Sequence, residues 1–252
     1  MSFFLGAPKP PVLPGADRRP GPFPMRLLAR EDVGAVIALR DEVLGQLDNP
    51  DLYVRERDEG AFVRSHIAGH DECAGDTIGV FDGDELIAYA MLGLPAQADA
   101  NLGRHVDLGS RTLGDVAHLA SCMVRGPYRG HGLQRTMLSA RFSLAHAYGR
   151  EVCIAMVSLH NHASRRNLLR TGLRIVYTGV VEGLNRQLAA IDLARAWKYE
   201  PGQARLVDSG DFAGQVELTR SGWWGVSEIE SAGPGVLVFA RPARQAFHGT
   251  PL

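Results

Sequence analysis

The chain is almost without lysine: Lys9 and Lys198 are the only two in 252 residues. A nucleoside triphosphate P-loop ends in Gly-Lys-Ser or Gly-Lys-Thr, with the lysine on the phosphates, so that class of site is excluded. Cysteine is scarce too. Cys73, Cys122 and Cys153 show no paired metal spacing, and the last two fall in apolar runs where a thiol behaves as a small hydrophobe. This predicts a reduced, cytoplasmic setting. Neither sign of charge dominates, with 27 basic against 28 acidic residues, so no nucleic-acid or anionic-membrane partner is expected. No apolar run reaches the length of a bilayer span, and Phe3-Phe4-Leu5 is too short for a signal core. A small-molecule or peptide substrate is the expectation that remains.

What is present is a central unit at residues 116–157. Residues 116–124 and 152–157 are apolar runs of strand length, the second without a charge, as expected of strands covered on both faces. Between them Leu133, Met137, Leu138, Phe142, Leu144, Ala145 and Tyr148 recur at helical spacing, and Gly149 stands where a C-terminal glycine cap falls. The helix starts directly after Arg129-Gly130-His131-Gly132. A helix N-terminus presents free N–H groups and the positive end of the dipole, and glycines let an anion approach that backbone. Gly130 and Gly132 therefore predict a phosphate cradle. It is not a dinucleotide fingerprint, because Leu133, Gln134 and Arg135 follow without a third glycine.

This turn, five residues beyond the strand end at Val124, resembles the acyl-CoA pyrophosphate loop of the GNAT superfamily of N-acetyltransferases. Asn161-His162-Ala163-Ser164, followed by Leu168, Arg170, Gly172 and Leu173, is similar to the family's Asn-x-x-Ala, Tyr, Lys, Gly-Phe series on the helix beside the cofactor. The resemblance covers residues 25–195. It implies an α/β fold, a mixed central sheet with splayed central strands flanked by helices. It also implies transfer of an acetyl or related acyl group from acetyl-CoA to a primary amine, by direct attack in a ternary complex and without a metal. In that frame the backbone of Cys122, Met123 and Val124 receives the acetyl-pantetheine arm. Arg129, Gly130, His131, Gly132, Leu133 and Gln134 hold the pyrophosphate, and Asn161 and Ser164 flank the cofactor. Two positions depart from the family: Gln134 stands where Gly or Ala is usual, and Leu168 replaces the tyrosine that often protonates the leaving thiolate. A noncatalytic acyl-CoA-binding or protein-interaction module of the same fold is the competing expectation.

Residues 1–24 carry Pro8, Pro10, Pro11, Pro14, Pro20, Pro22 and Pro24, a composition that supports neither helix nor ladder and predicts a flexible arm. A strand at 25–29 precedes a helix capped by Asp32. The stretch 46–75 is acidic and irregular around a short helix with Phe62, Val63 and Ile67. By the resemblance it walls the acceptor site, where Asp48, Asp51, Glu56, Asp58 and Glu59 would attract an ammonium group; a solvated acidic face explains them as well. Asp82-Gly83-Asp84 predicts a hairpin between 77–81 and 85–94. A polar loop spans 95–114, and strands are expected at 174–181 and 186–193. Residues 196–252 read as a helix-hairpin extension, with a helix at 212–220 and strands at 223–229 and 236–239. It is expected to pack on the domain or on a second subunit through Trp223, Trp224 and Phe239, and a homodimer is a candidate assembly.

An amine must lose a proton before it attacks a thioester, so the site needs a base. His118, in the central strand, stands where the resemblance places a glutamate or histidine, and its ordinary pKa lies near working pH. A packed strand histidine is the plain alternative, and the base is then expected in the acidic 46–75 segment. Cys122 reads as a buried apolar thiol rather than a nucleophile. His160 and His162 lack a third ligand at metal spacing. Arg165 and Arg166 are expected either to reach the 3′-phosphate of CoA or to stand as exposed helix cations.

Overall fold

A computed structural model of the protein describes residues 23–53, 55–70, 73–96, 101–230 and 235–243. The proline-rich arm expected at the N-terminus lies largely outside them. The first half comprises β1 (Met25–Leu27), α1 (Val33–Gly45), α2 (Glu59–Arg64), β2 (Gly75–Asp82), β3 (Glu85–Gly93), β4 (Val116–Val124) and α3 (Leu133–Ala147). Then follow β5 (Val152–Ser158), α4 (His162–Arg170), β6 (Arg174–Val181) and β7 (Leu184–Asp192). The C-terminal part adds β8 (Tyr199–Asp208), α5 (Phe212–Arg220), β9 (Trp224–Ile229) and β10 (Val236–Pro242). All ten strands join one sheet in the order β1-β2-β3-β4-β5-β7-β6-β9-β10-β8.

Two helical layers cover the sheet. On one face Leu138, Leu144 and Ala145 of α3 and Leu168 of α4 pack over Leu119, Cys153, Ala155 and Val157. On the other, Leu39 and Val43 of α1 and Val63 beside them close over Tyr89, Met91 and Met123. The cap of α1 differs from the expectation: Asp32 makes no side-chain cap bond to that helix, and its carboxylate instead accepts from Ala29 N (2.8 Å) and from Arg26. The β6–β7 turn is also tighter than expected. Glu182 and Gly183 alone span it, both at positive φ (52° and 79°), the geometry of a primed two-residue hairpin.

β4 and β5 form the one parallel pair among the described strands. They meet only at Val116↔Val152, Ala117↔Cys153 and His118↔Ile154, although they run on to Val124 and Ser158. Beyond His118 the strands part. On its other edge β4 slips register against β3 between Ala90 and Leu92, so the chain bulges around Ala120 and Ser121.

The sequence reading contains no β8. Pro201 speaks against a central strand, but β8 is the outermost strand of the described sheet, where proline is tolerated. With β8 in place, the second part repeats the first. β5-α4-β6-β7 and β8-α5-β9-β10 share element order and helix length, and their registers match fifty residues apart. Ser158↔Arg186 becomes Asp208↔Val236, and Ile175↔Ala189 becomes Gly225↔Phe239. The bulge at Ile175/Tyr177 recurs at Val238/Phe239, the same place in the hairpin. The two copies meet at Ile175↔Gly225, so a residue pairs with its own counterpart, as across a two-fold axis.

Candidate functional site

The parting of β4 and β5 opens a cavity of about 280 Å³. Leu119 to Cys122 form one wall and Ala155 to Ser158 the other, while α3 contributes Gln134 and Arg141 and α4 contributes Asn161, Ser164 and Leu168. Tyr53, Glu56 and Phe62, together with Glu182 and Arg186 from the β6–β7 hairpin, line the rest.

Two helix N-termini flank the cavity. α3 begins at Gly132, whose φ of 76° is left-handed, as is that of Gly130 at 86°. A Cβ built on Gly130 would meet nothing within 4 Å, and one on Gly132 only the Arg135 Nη2 at 3.6 Å. Packing does not require these glycines; the backbone conformation does. α4 is capped by Asn161, whose side chain accepts from Ser164 N at 3.1 Å. Gln134 bridges the two helices, donating to Ser164 Oγ (2.9 Å) and accepting from Asn167 Nδ2 (2.7 Å). Its side chain thus faces α4 and the cavity.

Of the expected site residues, His118, Cys122, Gln134, Asn161 and Ser164 share this cavity. Met123 turns its side chain into the α1 core, while Val124 and Leu133 pack beside Ala88 and Met137. Arg129 Nε donates to Val124 O (3.2 Å), and His131 Nδ1 lies 3.2 Å from Tyr128 O, which braces the turn. Arg165 is neither an exposed cation nor placed to meet a phosphate. It is fully buried and paired with Glu228 of β9, because the duplicated half covers α4 on that side. Arg166 is held by Glu230.

His118 lines the cavity, but its Nε2 accepts from Leu102 N at 3.0 Å. Burial, reinforced by His66, lowers its pKa to about 4. In this tautomer Nδ1 carries the proton, and no ring lone pair is open to an amine. Cys122 is pushed up by burial, against the pull of Arg141, and so stays a thiol.

No family model and no curated protein matches the sequence. Solved structures do match. A putative acetyltransferase of Salmonella typhimurium, yncA with its cofactor acetyl-CoA, superposes with a TM-score of 0.52 at 17% identity, over 71% of this chain and 98% of that one. NAA60 of Arabidopsis thaliana in complex with acetyl-CoA gives 0.51 at 14% identity over 68% and 99%, and an N-acetyltransferase of Staphylococcus aureus gives 0.50 at 15% over 68% and 98%. The fold is that of the GNAT acetyltransferases.

Within this GNAT sheet the sequence reading named Glu56 and Glu59 in the acidic segment but passed over Arg40, Tyr53, Arg186 and Glu182 around the cavity. Arg40 of α1, fully buried, pairs with Glu59 and donates to Tyr53 Oη (2.8 Å) and Ser121 Oγ (3.0 Å), beneath the rings of Tyr53 and Phe62. Arg186 is buried with its Nη2 unpartnered, in the field of Asp51 and Glu182. Glu56 and Glu182 line the cavity as an acidic rim; partial burial of the Glu56 carboxyl, then the charges of Glu59 and Glu182, raise its pKa against the pull of Arg40. Two of the buried arginines at the cavity, Arg40 and Arg141, carried a sequence signal. Arg40 falls four residues after Val36, and Arg141 four after Met137, on the buried stripes of their helices.

Proposed function

We propose that this protein transfers an acetyl or related acyl group from acyl-CoA to a primary amine, by direct attack within a ternary complex. The observation that carries this reading is the gap between β4 and β5. Two neighbouring strands stop pairing while both continue, leaving backbone on both sides of a slot that a linear, amide-containing arm can enter as a pseudo-strand. The Gly130–Gly132 turn stands at the start of α3, where an anion meets free N–H groups and the helix dipole, which suits the CoA pyrophosphate. Acetyl-CoA bound to the Salmonella and Arabidopsis proteins of the same fold supports this assignment.

In this reading the amine enters past the acidic rim, where Glu56 and Glu182 favour its ammonium form. Glu56 then takes the proton, because the Nε2 of His118 is already occupied by Leu102 N–H. The amine nitrogen bonds to the thioester carbonyl carbon, the C–S bond breaks, and CoA leaves as thiolate. A noncatalytic acyl-CoA-binding module stands as the second reading, favoured by Leu168, which fills with hydrocarbon a place on the cavity wall where a proton donor would serve.

The test is calorimetric titration with acetyl-CoA, followed by thiol release in the presence of a panel of amines, amino acids and peptides. Acceptor-dependent release supports transfer. Binding without release under every acceptor supports the module, and absence of binding refutes both.

A further inference from the structure

Four arginines in the described structure are almost wholly buried: Arg40, Arg141, Arg165 and Arg186. Arg40 is paired with Glu59 and Arg165 with Glu228, while Arg186 lies in the field of Asp51 and Glu182. Arg141 alone of the four has no acidic partner among the described residues. The ionisable groups that act on it are the thiols of Cys122 and Cys153, and burial lowers its pKa. Its Nε donates to Met137 O (3.4 Å) and its Nη1 to Met91 O (3.0 Å) and Ala120 O (3.4 Å), and Nη2 finds no acceptor among the described residues. The Met91 and Ala120 carbonyls belong to the bulged stretch of β3 and β4, beside the point where β4 and β5 part, and Arg141 lines the cavity there. A guanidinium taken out of water without a counter-ion is costly, and carbonyl dipoles offset only part of that cost. Such a site favours an anion that arrives from outside.

We propose that Arg141 is a catalytic residue whose guanidinium stabilises the CoA thiolate as the thioester C–S bond breaks. This rests on the acyl-transfer reading above, which runs the CoA arm along the gap from the glycine turn toward the bulge. As the C–N bond forms, the electrons of the C–S bond go to sulfur, and a full negative charge appears in the cavity. Leu168 offers no proton there. Arginine cannot supply one either, since it remains protonated throughout, so its part is electrostatic. The thiolate takes its proton from water after leaving, while the proton lost by the amine departs through the acidic rim.

The proposal is tested without an acceptor, by measuring how the full chain binds CoA and desulfo-CoA, its thiol-free analogue, as a function of pH. A cation beside the sulfur lowers the thiol pKa from its ordinary ~8.5 by about one unit or more, so CoA should gain about tenfold in affinity over desulfo-CoA as pH rises through that range. Arg141→Met should abolish the gain, and Arg141→Lys, which keeps the charge, should retain part of it. Equal pH profiles for CoA and desulfo-CoA in the wild type overturn the proposal without recourse to any variant, as does an undiminished gain in Arg141→Met. If neither ligand binds, the acyl-CoA reading itself fails, a result distinct from binding without thiolate preference.

Discussion

Arg165 of α4 and Glu228 of β9 form a two-pronged ion pair sealed from solvent, with Nε to Oε2 at 3.0 Å and Nη2 to Oε1 at 2.7 Å. Arg165 Nη1 also donates to Leu159 O (2.7 Å), so the pair ties the strand-to-helix turn at the cavity to the duplicated half. Removing one partner strands a buried charge. Glu228→Ala is expected to lower stability by ~3–5 kcal/mol, whereas Arg165→Met with Glu228→Met should be nearly neutral. Chemical denaturation of the two variants against the wild type measures both.

The seam between the two halves depends on a missing side chain. A Cβ on Gly225 would stand 2.9 Å from Ile175 Cβ and Cδ1. Gly225→Val should therefore push β9 off β6 and expose Trp223, Leu237 and Phe239, which form the core of that seam. The expected outcome is a lower melting temperature with self-association through the freed β6 edge, read by light scattering. A monodisperse variant with wild-type melting would count against this role for the seam.

Gly130 and Gly132 adopt φ values of 86° and 76°. Gly132→Val places a β-branched residue in left-handed backbone and a side chain where an anion would approach. Calorimetry should record at least a severalfold loss of acetyl-CoA affinity while the far-ultraviolet spectrum of the folded protein persists. Retention of wild-type affinity would remove the phosphate from this turn.

For proton transfer, Glu56→Gln is expected to lower acceptor-dependent turnover by about a hundredfold, with His118→Ala costing less than about tenfold. Because burial, then Glu59 and Glu182, raise the Glu56 pKa, the wild-type rate should begin to fall, as pH is lowered, above the ordinary glutamate range. A larger loss in His118→Ala than in Glu56→Gln would reverse the assignment and require Leu102 to release the imidazole.

His118 should also mark the pH dependence of stability. Folded, it stays neutral to about pH 4, from an ordinary value of 6.5. Between those values the unfolded chain binds the additional proton, so stability falls as pH drops through that window, by up to ~1.4 kcal/mol per pH unit from this group. His118→Gln should flatten that slope in urea titrations. An unchanged slope would show that the imidazole is already protonated in the fold.

What could be read from sequence was local. Asn161 capping α4, Gly132 opening α3 and the apolar runs of β4 and β5 act within a few residues, where periodicity and cap chemistry reach. The Arg165–Glu228 pair spans 63 residues, and no spacing rule announces it. Arg141 was visible as a cation on an apolar helix stripe, but the hydrophobic residues around it already explained the helix. That no described carboxylate lies beside it appears only in three dimensions. β8 failed for a different reason, since Pro201 forbids a central strand and says nothing against an edge.

The fifty-residue repeat gives this protein an experiment already performed inside one molecule. Leu168 and Leu218, Arg170 and Arg220, and Gly172 and Gly222 are identical across the copies, and these are positions that a strand-helix-hairpin unit needs in order to pack and turn. Asn161 and Ser164, which line the cleft, are replaced by Asp211 and Gly214. Asp211 still caps its helix, accepting from Gly214 N, so architecture survived the exchange. Among the described strands the second copy has no counterpart of β4 beside β8, so the gap between parting strands is not repeated there. Where the copies agree, the residue serves the shape they share. Where they diverge along α4 and α5, the first copy preserves a record of which side chains the cleft demands, and grafting that set onto the second would separate ligand recognition from folding within a single polypeptide.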